Sequence, residues 1–304
     1  STTIAAFYIQ ISEGYQQGFD ILQLDVSPHS NILSDWDPSA GKLTLSSGVI
    51  GSQMLLIDLE KAVKDVVFMT TAINIFPEKK FSLTIDDANY LPETGHFYKF
   101  ISANLITWTK AKIAAENQFY YGRRGYLATL TSQIEADFAG KQASGSGWIG
   151  GSDEETEGVW KWVTGPEAGT PDEIFWNGTA NGSSPNFAFW NSGEPNQRGD
   201  EDYAHITDVR VARDGRIGSW NDLQKKGGAD DEYQSKGYIV EFGTPSDPPL
   251  NIVATTSIFI PQIVSSVNAT ICESGTATIS ATANEGQILW FDMPTGGNPI
   301  GNGT

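Results

Sequence analysis

Apolar and polar positions alternate in short runs along residues 1–92, and turn-forming residues separate the runs. The pattern predicts strands over Ile4–Ile11, Ile21–Val26, Lys42–Leu45, Met54–Asp58, Val66–Thr70 and Phe81–Ile85, with turn signals at Glu13-Gly14, Asp37-Pro38 and Gly48. Evenly spaced short strands argue for a β-sandwich. Leu59, Ala62, Val63 and Val66 instead have helical spacing and predict a turn of helix before a strand.

The period changes from residue 93. Trp108, Ala111, Ala115 and Phe119 recur at helical spacing and line one face of a helix. A second helix is expected after Ser132. Ser132 and Glu135 have capping-box spacing, and Ile134 and Phe138 share a face. From Trp148 to Trp220 the chain is rich in Gly, Asn, Pro and Trp and shows little periodicity. A stretch of that length without regular structure is usually functional when it lies in a compact domain. A strand, Gly237–Phe242, closes this unit at residue 243.

The segment Gly243-Thr244-Pro245-Ser246-Asp247-Pro248-Pro249 reads as an extended linker. Alternation returns at Thr276–Thr282 and Ile288–Phe291, so residues 244–304 read as a linker and part of a further β-sandwich. The remaining strands are expected in a longer natural chain, of which this is a processed piece: it begins Ser1-Thr2-Thr3 without an initiator Met.

Composition narrows the function. The 304 residues carry 19 basic and 37 acidic side chains, a net charge of −18. Such a surface repels nucleic acid and anionic lipid and suits hard cations, which take carboxylate and carbonyl oxygens. No apolar run is long enough to span a membrane. Cys272 is the single cysteine, which excludes a disulfide scaffold. His29, His96 and His205 are scattered, and no metalloprotease, hydrolase-elbow or phosphate-loop motif is present, so a non-enzyme is expected.

The middle segment resembles the C-type lectin domain. The matching runs are Gly95–Phe100, Thr107-Trp108, Gly125–Ser132, Trp148–Asp153 and Glu157–Trp162, then Phe189–Asn196, Trp220-Asn221-Asp222 and Gly237–Phe242. They stand in the family's order across about half the chain. The family's two disulfides are missing: Val240 and Tyr203 occupy cysteine positions, and the Glu194–Glu201 loop is one residue shorter. Aromatic packing must replace the disulfides, and seven of the nine tryptophans lie in this segment. More loosely, residues 12–71 resemble a degenerate cadherin-like repeat and the tail resembles an Ig-like repeat, as in large Bacteroidota surface adhesins. The fold implied is multidomain: an α+β C-type lectin fold over 93–243, a cadherin-like β-sandwich over 1–92, and a partial Ig-like β-sandwich within 244–304.

The resemblance implies a Ca²⁺ site made by Glu194, Asn196, Glu201, Asn221 and Asp222, with a cis bond before Pro195. Ca²⁺ takes six to eight oxygens, so two vicinal sugar hydroxyls can complete its shell. The same five side chains would then pair the hydroxyl protons and lone pairs. In the family the Glu-Pro-Asn order goes with mannose, glucose, N-acetylglucosamine or fucose type ligands. Asp153, Glu157 and Asp202 match an auxiliary Ca²⁺ loop, in which Gln197 stands at an often acidic position. The expected protein is a non-enzymatic, calcium-dependent, carbohydrate-binding lectin module of an extracellular or cell-surface adhesin. The competing readings are a structural or protein-binding lectin fold whose Ca²⁺ only orders loops, and a spacer.

Overall fold

The computed structural model describes residues 2–49, 51–72, 75–268, 270, 276, 278–284, 286–293 and 297–303. Cys272 and Thr295-Gly296 of the tail lie outside the described residues.

Ala6–Glu13 is the central strand of a five-stranded antiparallel sheet, flanked by Lys42–Ser47 and Glu78–Thr84. Ile32–Asp37 forms one edge. Alternation did not reveal this strand, because Leu33 is exposed and Trp36 only half-buried. A two-stranded antiparallel ribbon of Asp20–Leu24 with Val66–Thr70 packs over the sheet together with the helix Leu56–Lys64. Ile9, Ile11, Leu22, Leu24, Leu43, Leu45 and Phe81 meet in the core between them. The expected strand Met54–Asp58 stops at Leu55, because Leu59 and Ala62 reach the core only from a helix. Lys79 and Asp20 form an ion pair with both side chains fully buried. The Lys79 ammonium donates to Asp20 Oδ2 at 2.7 Å, Gly14 O at 2.6 Å and Gln16 Oε1 at 2.9 Å.

The middle segment enters through His96–Ser102 and leaves through Gly237–Phe242, and these strands pair antiparallel from Phe97↔Phe242 to Ser102↔Gly237. Its helices are Trp108–Glu116 and Gln133–Gly140. Phe119 falls beyond the first helix, in a short strand, and is exposed. Ser132 accepts from Glu135 N at 3.2 Å, whereas the Glu135 carboxylate takes Thr131 N at 2.6 Å, one residue before the reciprocal capping position. Phe138 is buried but Ile134 is 39% exposed, so the two do not share the buried face.

The aperiodic Trp148–Trp220 stretch is not structureless. It contains Val159–Trp162, Ile174–Asn177 and Tyr203–Ile206, and runs between the strands Gly147–Ser152 and Trp220–Leu223. The three inner strands are only four residues long, too short for a period of two to stand out, and Tyr203–Ile206 is buried on both faces. Their side chains make an aromatic core: Trp162 stacks on Phe175 at 4.3 Å and meets Trp220 edge-on at 5.4 Å. Val240 and Tyr203, at the two cysteine positions, pack into the second core with Ala111, Ala115 and Trp108.

Residues 253–259, placed by sequence in a third module, pair instead along their whole length with Glu78–Thr84. The middle segment is therefore carried between two adjacent strands of the N-terminal sheet. Beyond it stand two hairpins, Ile263–Val267 with Ser280–Ala283 and Ile288–Phe291 with Pro299–Gly303, whose side chains are mostly exposed. Among the described residues, no helix is long and apolar enough to cross a membrane.

Candidate functional site

The site grows from the strand Trp220–Leu223. Trp220 is fully buried, which fixes the depth of Asn221 and Asp222 behind it. The neighbouring loop is pinned to this strand: Asn191 N donates to Trp220 O at 2.7 Å, and Trp220 N to Phe189 O at 2.9 Å. On the other side Tyr203–Ile206 pairs with the strand, setting Ala204 opposite Asp222 and His205 opposite Asn221.

The pinned loop continues into Glu194-Pro195-Asn196, and the Glu194–Pro195 bond is cis. Asn196 N and Gln197 N donate to Asp222 Oδ1 and Oδ2 at 3.1 and 2.8 Å. Asn196 Nδ2 donates to Glu194 Oε2. Arg198 N donates to Glu201 Oε2 at 2.9 Å. Glu194, Asn221 and Asp222 are buried, Glu201 is half-buried and Asn196 is exposed. Four of the five expected ligands thus share one hydrogen-bonded and electrostatic cluster. Asn221 adjoins it, with its Oδ1 accepting from Thr207 Oγ1 at 2.9 Å.

This cluster concentrates negative charge. Burial, then the charge of Asp222, pushes the Glu194 carboxyl up to about 8. The same two causes raise Glu201 to about 7. Asp222 is raised as well, chiefly by burial. Among the described residues, no Lys or Arg forms an ion pair with any of the three. Asp222 is the largest electrostatic cause of the rise in Glu194, and two carboxylates this close favour a proton on one of them. A hard cation would replace that proton, and the donor set of carboxylate and amide oxygens fits Ca²⁺. As arranged here the set is not a finished cage: among the described residues, no three Asp, Glu, His or Cys side chains form a ready metal cluster. Asp222 spends both oxygens on backbone N–H groups, and Glu201 spends one.

The auxiliary residues lie alongside. Asp153 is buried; its Oδ2 accepts from Gly158 N at 2.9 Å, while its Oδ1 has no hydrogen-bond partner among the described residues. Burial, with the charges of Glu157, Asp202 and Asp222 adding, raises it to about 7. Glu157 and Asp202 are both raised, first by burial and then by neighbouring acids. Asp153 N donates to Asp202 O at 3.2 Å, which ties the two loops together. An orphaned carboxylate oxygen among like charges also fits a cation.

Sequence reasoning missed Asn191 and Arg213. Asn191 Oδ1 accepts from Arg213 N at 2.8 Å, and its Nδ2 donates to Val211 O at 3.2 Å, which clamps the 207–219 loop against the Glu-Pro-Asn loop. Asn191 lay inside a matching run and could have been singled out; Arg213 carried no local signal. The histidines stand apart: His96 Nδ1 is 2.6 Å from Glu241 Oε1, His29 Nε2 is 2.8 Å from Asp65 Oδ2, and burial lowers His205 to about 4.

No protein-family model matches the chain. Over 246 residues, 77% of this chain, it is 34% identical to halomucin of Haloquadratum walsbyi. Over 84 residues, 27% of this chain, it is 37% identical to C-type lectin domain family 4 member F of Mus musculus. The chain spans about 2% of halomucin and 14% of the mouse protein. Among solved structures, a cow CD23 carbohydrate-recognition domain, studied in the presence of GlcNAc2Man3 oligosaccharide, is 24% identical with a TM-score of 0.34, covering 51% of this chain and 98% of its own. By sequence, the chain contains a stretch homologous to C-type lectin domains, and most of it is homologous to a segment of halomucin.

Proposed function

We propose that residues 93–243 form a calcium-dependent carbohydrate-recognition module for mannose-, glucose-, N-acetylglucosamine- or fucose-type ligands. It would work outside the cell, within a larger cell-surface adhesin. In this reading residues 1–92, completed by Val253–Phe259, are a cadherin-like spacer, and the later hairpins are part of an Ig-like repeat.

The observation that carries the reading is the gathering of Glu194, Glu201 and Asp222 around Asn196 with, among the described residues, no Lys or Arg within ion-pair distance; the charges of Arg213 and Arg198 only temper the rise of Glu194 and Glu201. Glu194, Asn196, Glu201, Asn221 and Asp222 would hold the ion, and Asp153, Glu157 and Asp202 a second one. Bound Ca²⁺ would supply coordination positions for two vicinal sugar hydroxyls. Asn196 and Asn221 present amide N–H donors to sugar oxygens, and Glu194 and Glu201 accept from sugar hydroxyls. Buried Trp220 and the Asn191 clamp keep these groups in place before the ligand arrives.

The test is a glycan array with Ca²⁺ and with EDTA, run on the natural chain and on Glu194→Gln/Asn196→Asp. Mannose-type binding that requires Ca²⁺, and that shifts toward galactose in the double variant, supports the reading. Binding that survives EDTA, or an unchanged mannose preference in the variant, refutes it.

One observation favours a second reading. Asp222 closes the loop through Asn196 N and Gln197 N, with the protein's own hydrogen bonds. A lectin-fold structural or protein-binding module, with Ca²⁺ only tightening this loop, would gain stability in Ca²⁺ and bind no glycan.

A further inference from the structure

Most cations in this acidic chain sit within ion-pair distance of a carboxylate, but among the described residues two at the rim of the site, which act on Glu194 and Glu201 only from farther off, do not. Arg213 lies in the 207–219 loop, and its Nη1 donates to Ser192 O at 2.9 Å. A Cβ added to Gly193 would stand 3.0 Å from the same Nη1. The guanidinium therefore caps the peptide that leads directly into Glu194. Arg198 is next but one after Asn196, and its own N–H holds Glu201 Oε2 at 2.9 Å. Both arginines are exposed.

Neither guanidinium forms an ion pair among the described residues, although Asp214 and Asp200 are close in sequence. Arg210, in the same loop as Arg213, shows the contrast: it is paired to Asp208 at 2.7 Å and to Asp231 at 2.9 Å. Arg216 lies over the Phe189 ring at 4.8 Å. The loop thus pairs one arginine with acids, lays a second on a ring, and leaves the third, tied through Nη1 to Ser192 O, at the edge of the carboxylate cluster without an ion pair among the described residues. Once an ion takes up the charge of that cluster, the two rim guanidiniums face solvent with planar donor forks that match a carboxylate or sulfate.

We propose that the site prefers an anionic saccharide, a hexose carrying a carboxylate or sulfate, with Arg213 as the main contact to that group and Arg198 as the second. The proposal rests on the calcium-dependent sugar reading above. The two sources of negative charge share one recognition chemistry, and the test separates them.

Binding of methyl mannoside, mannuronate and mannose 6-sulfate is measured by calorimetry at saturating Ca²⁺, in low and high NaCl, for the natural chain, Arg213→Gln and Arg198→Gln/Arg213→Gln. The expected preference for an anionic sugar over the neutral one is about 3- to 10-fold at low salt, shrinking at high salt as exposed charges are screened. It should fall in the single variant and vanish in the double one, read in each variant as the ratio of anionic to neutral affinity, so that a general weakening from a loosened Ser192–Glu194 peptide is not counted as lost preference; circular dichroism reports the fold. Which anion gains more identifies the preferred group. Equal affinity for all three sugars, or an undiminished preference in the double variant, overturns the proposal and leaves the calcium–sugar reading standing. No binding of any sugar in Ca²⁺ overturns both.

Discussion

Removing Ca²⁺ should reverse the direction in which pH changes stability. Glu194 is the group to follow, because its carboxyl is raised from 4.5 to about 8 in the folded chain. A raised folded value means that the folded state favours the protonated form. That contribution is fully present below about 4.5, declines as pH rises, and is lost once pH passes about 8. Taken in full, the displacement from 4.5 to about 8 would be worth roughly 5 kcal/mol at 1.36 kcal/mol per pH unit. The site opens to solvent at exposed Asn196 and half-buried Glu201, so screening reduces this to about 2 kcal/mol. For a 304-residue chain unfolding as one unit that is a loss of about 3 °C in melting temperature between pH 5 and pH 9 in EGTA. With Ca²⁺ the ligands must be deprotonated, so stability should instead fall as pH drops and protons displace the ion. Glu135 is a buried carboxylate raised to about 8 outside the site, first by burial and then by Glu241, and it adds the same slope with or without Ca²⁺. Glu194→Gln isolates the site's share: it should flatten the EGTA curve in part and remove most of the difference between EGTA and Ca²⁺. Thermal melts by circular dichroism across pH 5–9 suffice. An EGTA curve that is flat or rises with pH, or a slope that Glu194→Gln leaves untouched, would falsify the assignment of Glu194 to an uncompensated acidic cluster.

Trp162→Ala, which removes the ring stacked on Phe175, should cost about 3–5 kcal/mol in urea unfolding; a cost below about 1 kcal/mol would show that the aromatic core does not replace the missing disulfides. Asp20→Ala strands the buried Lys79 ammonium and should cost about 3–5 kcal/mol, and Lys79→Met added to it should restore much of the loss; no recovery in the double variant would point to cavity formation rather than stranded charge. Asp153→Asn should abolish the weaker calcium-binding event in calorimetry and leave the sugar-linked one, and an identical isotherm would remove Asp153 from any metal site. On mannose–agarose at fixed pH steps, the elution pH should move down as Ca²⁺ is raised; a fixed elution pH argues against proton–metal competition.

The sequence alone determined the local features. Turn residues and short alternating runs placed most N-terminal strands, because a half-buried strand imposes a period of two on its side chains. Thr107 and Ser132 stand at the starts of their helices for an equally local reason: a hydroxyl there accepts a free backbone N–H. The ordered runs ending in Glu194-Pro195-Asn196 and Trp220-Asn221-Asp222 singled out the acidic residues as a candidate site.

What tertiary structure alone decided depends on partners distant in sequence. No local pattern marks Val253–Phe259 as the edge strand beside Glu78–Thr84, because that pairing is made across the whole middle segment. The strands inside the aperiodic stretch are four residues long and are set by packing Trp160, Trp162 and Phe175 into a shared core, which no local period announces. The Glu135 carboxylate turns to Thr131 and Tyr98 rather than to the capping position, a choice made by a neighbouring strand. The charge balance of the site was invisible for the same reason: only the fold brings Asp222 against Glu194 and sets Arg213 over Gly193, and at those short distances electrostatics depends on position in space rather than on order along the chain.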